Sequence, residues 1–320
     1  VAPEIDAQVL IEPEYGYVGM IQFKNGKHSF FRNRNFNVNP QGASDIARDK
    51  GYAAFFLQKL GYPVPEGKTF FSAQFNKYLN IKRTMDDGYG YARQLGFPVI
   101  VKPNDSSQGK FVTKVHTKAE YYRAARKIFK STRVMLVQRY YAAQDYRIVV
   151  MDDEVISVYL RTPLVVEGDG ATPISGLLES KATAFKNMNR DTELDFDDYR
   201  IRMKLRRQGL SFESVLARGQ ALALLDNANL STGGDALDMT EAIHPDFAAF
   251  CVRVTRDMGL RLCGVDVITE DITRPLAGQH PVVLEINSAP GLDNYASIGE
   301  EQHRRVEHLY RTVLLALERA

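Results

Sequence analysis

The stretch Pro281-Val282-Val283-Leu284-Glu285-Ile286-Asn287-Ser288-Ala289-Pro290-Gly291 constrains this chain most. It reads as a buried strand running into a turn, yet it carries two polar side chains. In a regular strand Val283, Glu285 and Asn287 share one face, and Val282, Leu284 and Ile286 the other. The two oxygen-bearing side chains then stand roughly 7 Å apart along one face. A second apolar strand, Leu262-Cys263-Gly264-Val265-Asp266-Val267-Ile268-Thr269, carries a lone Asp266 at its centre. Taking carboxylates out of water is costly unless another charge compensates. A divalent cation would do so, and Asp, Glu and Asn oxygens suit hard Mg²⁺. An exposed hairpin with ordinary surface acids would present the same residues, so the rest of the chain decides between the two.

At 320 residues the chain is long enough for about two domains with a sizeable core. Charged residues make up 25% and hydrophobic ones 44%, as in ordinary globular proteins. A formal net charge of +2 gives no reason to propose nucleic acid or a membrane surface as partner. No apolar run approaches the ~20 residues of a membrane span, and no charged start leads into an apolar core of a signal peptide. A cytoplasmic protein is expected. Cys251 and Cys263, the two cysteines, sit in apolar surroundings and read as buried free thiols in a reducing compartment.

Residues 1–45 read as a largely irregular N-terminal segment, with strand-like pieces at Val9-Leu10-Ile11 and from Tyr17 to Phe23. A helix is expected from near Ala43 through Leu60, with Ser44 as its N-cap and Asp49-Lys50 in its first turns. Gly61, Pro63 and Pro65 end it. A strand around Thr69 to Phe71 and a helix from about Met85 to Leu95 follow. Gly96-Phe97-Pro98 then turns the chain into Val99-Ile100-Val101-Lys102-Pro103. A Lys near the end of an apolar strand is unusual, because Lys is rarely buried without a partner. The polar loop Asn104-Asp105-Ser106-Ser107-Gln108-Gly109-Lys110 comes next and is able to turn backbone N–H groups toward an anion. It leads into a strand, Phe111 to Val115, which excludes the phosphate loop that opens a helix with Gly-Lys-Ser/Thr. A hairpin turn beside a solvated Lys is the plainer alternative.

Glu120 to Phe129 reads as an amphipathic helix, and Val134 to Tyr140 as a strand with polar groups at its exit. Asp145 to Val150 and Glu154 to Leu160 read as antiparallel strands joined at Asp152-Asp153. The second ends at Arg161-Thr162-Pro163, and Glu167-Gly168-Asp169-Gly170 makes a loop. Residues 171–219 are polar with a helical pattern and rich in Arg200, Arg202, Lys204, Arg206 and Arg207. A solvated helix face is the reading favoured there over a basic collar for an anionic substrate. Ala228 to Gly234 is a second small-residue loop, either an anion or substrate cradle or a plain turn. Pro245 to Met258 is an amphipathic helix. A closing helix, Glu300 to Glu318, carries the stripe Val306, Leu309, Val313 and Leu317.

These pieces, in this order over roughly residues 44–300, resemble an ATP-grasp carboxylate–amine ligase. The resemblance is to the ATP-grasp domain of cyanophycin synthetases and bifunctional glutathione synthetases. It rests on Asp49-Lys50, Gly61-Tyr62-Pro63-Val64-Pro65, Leu95 to Pro103 with its glycine loop, Asp145-Tyr146-Arg147 and Arg161-Thr162-Pro163. It continues through Glu167-Gly168-Asp169-Gly170, Asn229 to Gly234, Val265-Asp266-Val267 and Glu285-Ile286-Asn287. The Asn-Leu-Ser-Thr-Gly-Gly run followed by His244-Pro245 is specific to the cyanophycin-synthetase-like branch. Three departures stand out. Gln138 replaces a common Glu, Leu225 an occasional Arg, and Leu292-Asp293-Asn294-Tyr295 a His-containing turn. No Gly-x-x-x-x-Gly-Lys-Ser/Thr occurs, so a stand-alone module is expected, without the second ligation of cyanophycin synthesis.

The resemblance implies an α+β ATP-grasp fold: two α+β lobes gripping ATP between them, after a short N-terminal segment. Expected limits are 1–45 for that segment, 46–136 for the smaller lobe and 137–320 for the larger, with an insertion at 171–219. It implies an ADP-forming ligase that joins a carboxylate to an amine through an acyl phosphate, with an amino acid or short peptide among its substrates. Lys50, Lys102, Ser106, Ser107 and Gly109 would contact the phosphates. Gln138, Arg139 and Tyr140 would face adenine, and Asp145 the ribose. Asn229, Ser231, Thr232 and Gly233 would hold substrate. Arg147 and Arg161 would face the transferred phosphoryl group. Asp266, Glu285 and Asn287 would hold two Mg²⁺ ions, with Mn²⁺ as a substitute. No nucleic acid or membrane partner is implied; dimers are usual in such families, and the sequence leaves a homodimer open. The rival readings are a D-alanine–D-alanine-type ligase and an ATP-binding sensor or scaffold without turnover.

Overall fold

The computed structural model describes all residues except 107, 189, 191 and 193. In chain order the elements are β1 (Gln8–Ile11), β2 (Val18–Gln22), β3 (His28–Arg32), α1 (Gln41–Arg48), α2 (Lys50–Lys59), β4 (Gly67–Phe71) and α3 (Ala73–Leu79). Then come α4 (Met85–Leu95), β5 (Val99–Pro103), β6 (Thr113–Val115), α5 (Lys118–Phe129), β7 (Val134–Arg139), β8 (Gln144–Met151), β9 (Glu154–Thr162) and β10 (Val165–Glu167). The chain continues with α6 (Ile174–Asn187), α7 (Tyr199–Arg207), β11 (Ala221–Ala223), β12 (Asp235–Asp238) and α8 (Pro245–Asp257). It ends with β13 (Leu262–Thr269), β14 (Val282–Asn287), α9 (Asp293–Ala296) and α10 (Glu300–Arg319). Among the described residues no helix is long and apolar enough to cross a membrane.

Two compact units interleave along the chain. The first comprises residues 1–64, 143–160 and 238–320, and the second 65–142 and 161–237. The first is built on antiparallel strands in the order β9-β8-β13-β14, with β12 at the outer edge. Tyr146, Ile148 and Val150 of β8, with Cys263, Val265 and Val267 of β13, form one apolar face of this sheet. It packs with Leu57 of α2 and Phe247, Phe250 and Val254 of α8. Each such large side chain stabilises by about 1.5–3 kcal/mol on burial. Cys251 and Cys263 lie free inside this core. On α10 the expected stripe of Val306, Leu309, Val313 and Leu317 is buried.

Strand β14 departs from regular alternation. Glu285 pairs with Asp266 but Val283 pairs with Val267, so the register shifts and Leu284 is the extra residue of a β-bulge. Val283 and Ile286 therefore enter the core, while Glu285 shares the opposite face with Asp266. Alternation from sequence had placed Val283 beside Glu285; the bulge reverses the phase between them. A second difference concerns the first long helix. It begins at Gln41 and breaks at Asp49, whose backbone is extended (φ −93°, ψ 107°). The Asp49 carboxylate accepts from the Tyr52 N–H at 2.8 Å and starts α2 anew. Two helices replace one, and Lys50 stands at the first position of the second.

The second unit holds a four-stranded sheet in the order β4-β7-β5-β6. Helices α4 and α5 cover one face, with Tyr121, Ala124 and Ile128 packed on Val99, Val101, Met135 and Val137. Helix α4 starts as the sequence indicates, because Thr84 and Asp87 form a capping box. The expected strand from Phe111 is shorter and begins at Thr113, since Phe111 has a left-handed backbone (φ 59°). A separate apolar cluster joins the β10–β11 ribbon to α6 and α7 through Leu164, Ile174, Leu178, Ile201 and Leu205. Leu225 belongs to that cluster at 3% exposure.

Candidate functional site

The polar face of β8, β13 and β14 collects the charged residues of the first unit. Asp266 lies directly opposite Arg147 on one side and Glu285 on the other. Asp266 is fully buried. The Arg147 guanidinium grips both of its oxygens, with Nη2 to Oδ2 at 2.8 Å, and reaches Glu285 at 4.0 Å. Burial alone would lower the pKa of Arg147; Asp266, Tyr159 and Glu285 more than offset this and hold it well above the ordinary value. Lys50 stands 3.7 Å from Glu285 on the other side. The segment after α2 is tied to the same strand, with the Val283 N–H donating to Pro63 O at 2.8 Å. Lys50, Arg147, Asp266 and Glu285 thus form one alternating charge cluster. Asp145 lies on the same sheet face, opposite Ile268.

Asn287 lies opposite Gly264 at the end of this face. The approach at Gly264 is tight, since a Cβ would stand 3.0 Å from Pro290 Cβ and 3.1 Å from Arg147 Cδ. The Asn287 Nδ2 is buried without a hydrogen-bond partner. Two carboxylates and a carboxamide make an oxygen donor set of the kind a hard cation takes. The unpartnered atom is the amide nitrogen, a donor, so it suits an acceptor such as a phosphate oxygen rather than a cation, and both Asp266 oxygens already serve Arg147. Among the described residues no group of three or more His, Cys, Asp and Glu side chains is placed to hold a metal.

One residue of this arrangement escaped the sequence reading. The Asn39 amide donates to Leu262 O and Ser288 O, both at 2.8 Å, and accepts from the N–H groups of Arg261 and Leu262 at 2.8 and 3.0 Å. It staples the start of β13 to the exit of β14 and so fixes the frame that carries Asp266, Glu285 and Asn287. Its segment has no periodic pattern; only the Asn-Pro pair at 39–40 hints at a turn.

In the second unit Lys102 and Gln138 fall on the sheet face turned away from α4 and α5, because Lys102 pairs with Leu136 and Ile100 with Gln138. Both are 3% exposed, and the Gln138 Oε1 has no hydrogen-bond partner. Arg139 points elsewhere, to Glu66 at 2.8 Å and Leu95 O at 3.1 Å. The Tyr140 ring carries Lys114 Nζ at 3.6 Å from its centre. Arg161 is 8% exposed. Ser107 lies outside the described residues, while Ser106 and Gly109 belong to the loop after β5.

That loop is held by residues from 171–237. Gly109 has φ +65°, and a Cβ there would stand 2.6 Å from Asn227 Nδ2 and 3.1 Å from Asn229 Cβ. Arg200 Nη1 donates to Gly109 O at 2.8 Å and Val112 O at 3.1 Å. Asp198 holds the same guanidinium through contacts of 2.6 to 3.0 Å. Tyr199 and Thr113 share a 2.6 Å hydroxyl bond. The expectation of a merely solvated face on α7 therefore fails at Arg200, whose side chain is 10% exposed. The Asn229 loop braces itself: Asn229 Oδ1 accepts from Ser231 N–H at 2.9 Å, and Thr232 Oγ1 donates to Asn229 O at 3.1 Å. Gly233 has φ +91°, and a Cβ would meet Leu194 and Leu164.

Known proteins resemble this chain throughout. A family model described as "D-ala D-ala ligase C-terminus" matches residues 56–169. The chain is 33% identical to the cyanophycin synthetase of Trichormus variabilis over 77% of its own length and 27% of that protein. It is 34% identical to that of Crocosphaera subtropica, covering 82% of this chain and 30% of the relative. Identity to the glutathione biosynthesis bifunctional protein GshAB of Mannheimia succiniciproducens is 31%, over 72% and 30%. The chain thus spans less than a third of the length of these relatives. Among solved structures, the bifunctional glutathione synthetase from Pasteurella multocida matches with a TM-score of 0.58 at 23% identity, covering 96% of this chain and 42% of that one. The D-alanine–D-alanine ligase from Bacillus anthracis matches with a TM-score of 0.51 at 13% identity, covering 88% and 72%. Both likenesses concern the fold.

Proposed function

From a chain that belongs to the ATP-grasp ligase family, we propose an ADP-forming ligase that joins a carboxylate to an amine, with an amino acid or short peptide among its substrates. The observation that carries this reading is the charge cluster of Lys50, Arg147, Asp266 and Glu285 on one sheet face. A substrate carboxylate oxygen bonds to the γ-phosphorus of ATP as the bridging P–O bond breaks, and ADP leaves. An amine nitrogen then attacks the acyl carbon, phosphate departs with the C–O electron pair, and the nitrogen loses a proton.

Such a transfer needs alignment and positive charge more than a protein nucleophile. Lys50, Lys102, Arg147 and Arg161 would supply that charge. Asp266, Glu285 and Asn287 are the proposed holders of Mg²⁺, two ions with Mn²⁺ as substitute; the metal would neutralise phosphate charge. Arg147 would then give up at least one Asp266 oxygen and turn toward the transferred group. Gln138, with its buried unpartnered oxygen, suits the amino edge of adenine, beside the backbone of Arg139 and Tyr140, and Asp145 the ribose. The loop carrying Ser106, Ser107 and Gly109 would cover the phosphates and keep water from the acyl phosphate. Asn229, which lies beside Gly109, would hold substrate together with Ser231, Thr232 and Gly233. Lobes 46–136 and 137–320 remain the proposed limits of the nucleotide grip.

The test is ADP and phosphate release with ATP, Mg²⁺ and paired amino acids and dipeptides, with products weighed by mass spectrometry. A product equal to two partners minus water supports the ligase. Tight Mg-ATP binding without turnover across a broad panel supports the sensor reading instead.

A further inference from the structure

Helix α5 is a concentration of positive charge that the chain average conceals. Residues 118–133 carry six cations and one acid, a local excess of five in a chain whose formal net charge is +2. The single acid, Glu120, is turned inward, accepting from the His116 N–H at 2.7 Å. Asp86, the nearest acid on α4, accepts from the Tyr122 hydroxyl at 2.7 Å. Lys118, Arg123, Arg126, Lys127 and Lys130 line one groove of about 750 Å³, closed at one side by Tyr199. Among the described residues no carboxylate lines it. The twelve steps from Lys118 to Lys130 rise about 18 Å, so the cations form a ladder rather than a point site.

We propose that this groove binds an acidic polypeptide segment, laid along α5. The length of the ladder favours a chain of anions over a single phosphate. Counter-ion release would drive binding and make it salt-dependent. Single-stranded nucleic acid would need open aromatic faces for its bases, and these are already taken. Lys118 sits over Tyr89 at 5.5 Å, Arg126 over Tyr122 at 5.5 Å, and Lys127 over Phe111 at 5.9 Å. Those same contacts hold the cations in place and so reduce the ordering cost of binding. The proposal is independent of the ligase reading.

The test uses the full chain and a fluorescein-labelled oligoglutamate of about ten residues, followed by anisotropy at low salt and at about 150 mM. Saturable binding that weakens with salt is expected, with at least a tenfold loss in Arg126→Glu/Lys130→Glu and none in the control Arg256→Glu/Arg274→Glu. Carbodiimide coupling to the unaltered protein should place peptide carboxylates on Lys118, Lys127 and Lys130, which serves even if the charge-reversed variant misfolds. Absence of binding at low salt overturns the proposal, as do equal losses in both variants or coupling mainly at other lysines. Tighter binding of an oligonucleotide of matched charge, lost in the same variant, overturns the choice of an acidic polypeptide.

Discussion

The first unit places Asp266, Glu285 and Arg147 by strand register, and the second holds its Gly109 loop by side chains that reach across to it. Asp266, Glu285 and Arg147 are neighbours because three hydrogen-bonded strands set them opposite one another. Gly109 is where it is because Arg200 from α7 holds its carbonyl and Asn227 crowds its Cα. Register fixes groups that must not move, whereas a side-chain latch leaves a backbone that is free to open when the latch lets go. The difference matches what alignment and water exclusion demand of a phosphoryl-transfer site.

The comparison breaks if the register-fixed face is not where the chemistry lies. Glu285→Gln should lower ATP-dependent product formation about a hundredfold or more while the unfolding midpoint stays within a few degrees; full activity would remove Glu285 from the metal assignment. Arg147→Met removes the guanidinium that holds both oxygens of the buried Asp266 and should cost about 3–5 kcal/mol in urea unfolding, with much of it regained in Arg147→Met/Asp266→Asn. Equal losses in the single and double variants would mean the pair is not what holds this face.

The latch is sharpened by Arg200→Ala, which leaves Asp198 with one partner fewer and frees two carbonyls. It should cost about 2 kcal/mol and speed amide hydrogen exchange across residues 106–112, whereas Arg147→Met should leave that exchange alone. The smallest effect concerns His116 beside the same loop. Burial and the adjacent Arg207 lower its pKa, against Glu120 and Asp226 and together with Lys114. A base held neutral in the fold contributes stability above its unfolded value near 6.5, and this is lost as pH falls through the folded value. His116→Gln should flatten the stability profile below pH ~6.5 by less than about 1 kcal/mol.

Most of the register-fixed face was legible, since a carboxylate inside an apolar strand announces itself by its cost. The helix around Met85 to Leu95 was also legible, and the structure adds the Thr84–Asp87 capping box that starts it. The bulge at Leu284 was not, because an extra residue is defined by the partner strand and alternation assumes none. The break at Asp49 was hidden by apolar spacing that continues through it. Arg200 looked like any surface cation beside Asp198, since the carbonyls it latches lie some ninety residues earlier and carbonyls leave no mark in sequence. Asn39 was silent for the same reason.

The bulge also decides which codon in this strand is expendable. Because Leu284 has no partner across the ladder, an in-frame loss of that one triplet would leave Val283 in the core and Glu285 outward. Loss of the neighbouring Ile286 triplet would swing Asn287 toward the core. A lineage could thus shorten the strand at one position without inverting its chemistry, and would forfeit only the extra local twist that a bulge adds.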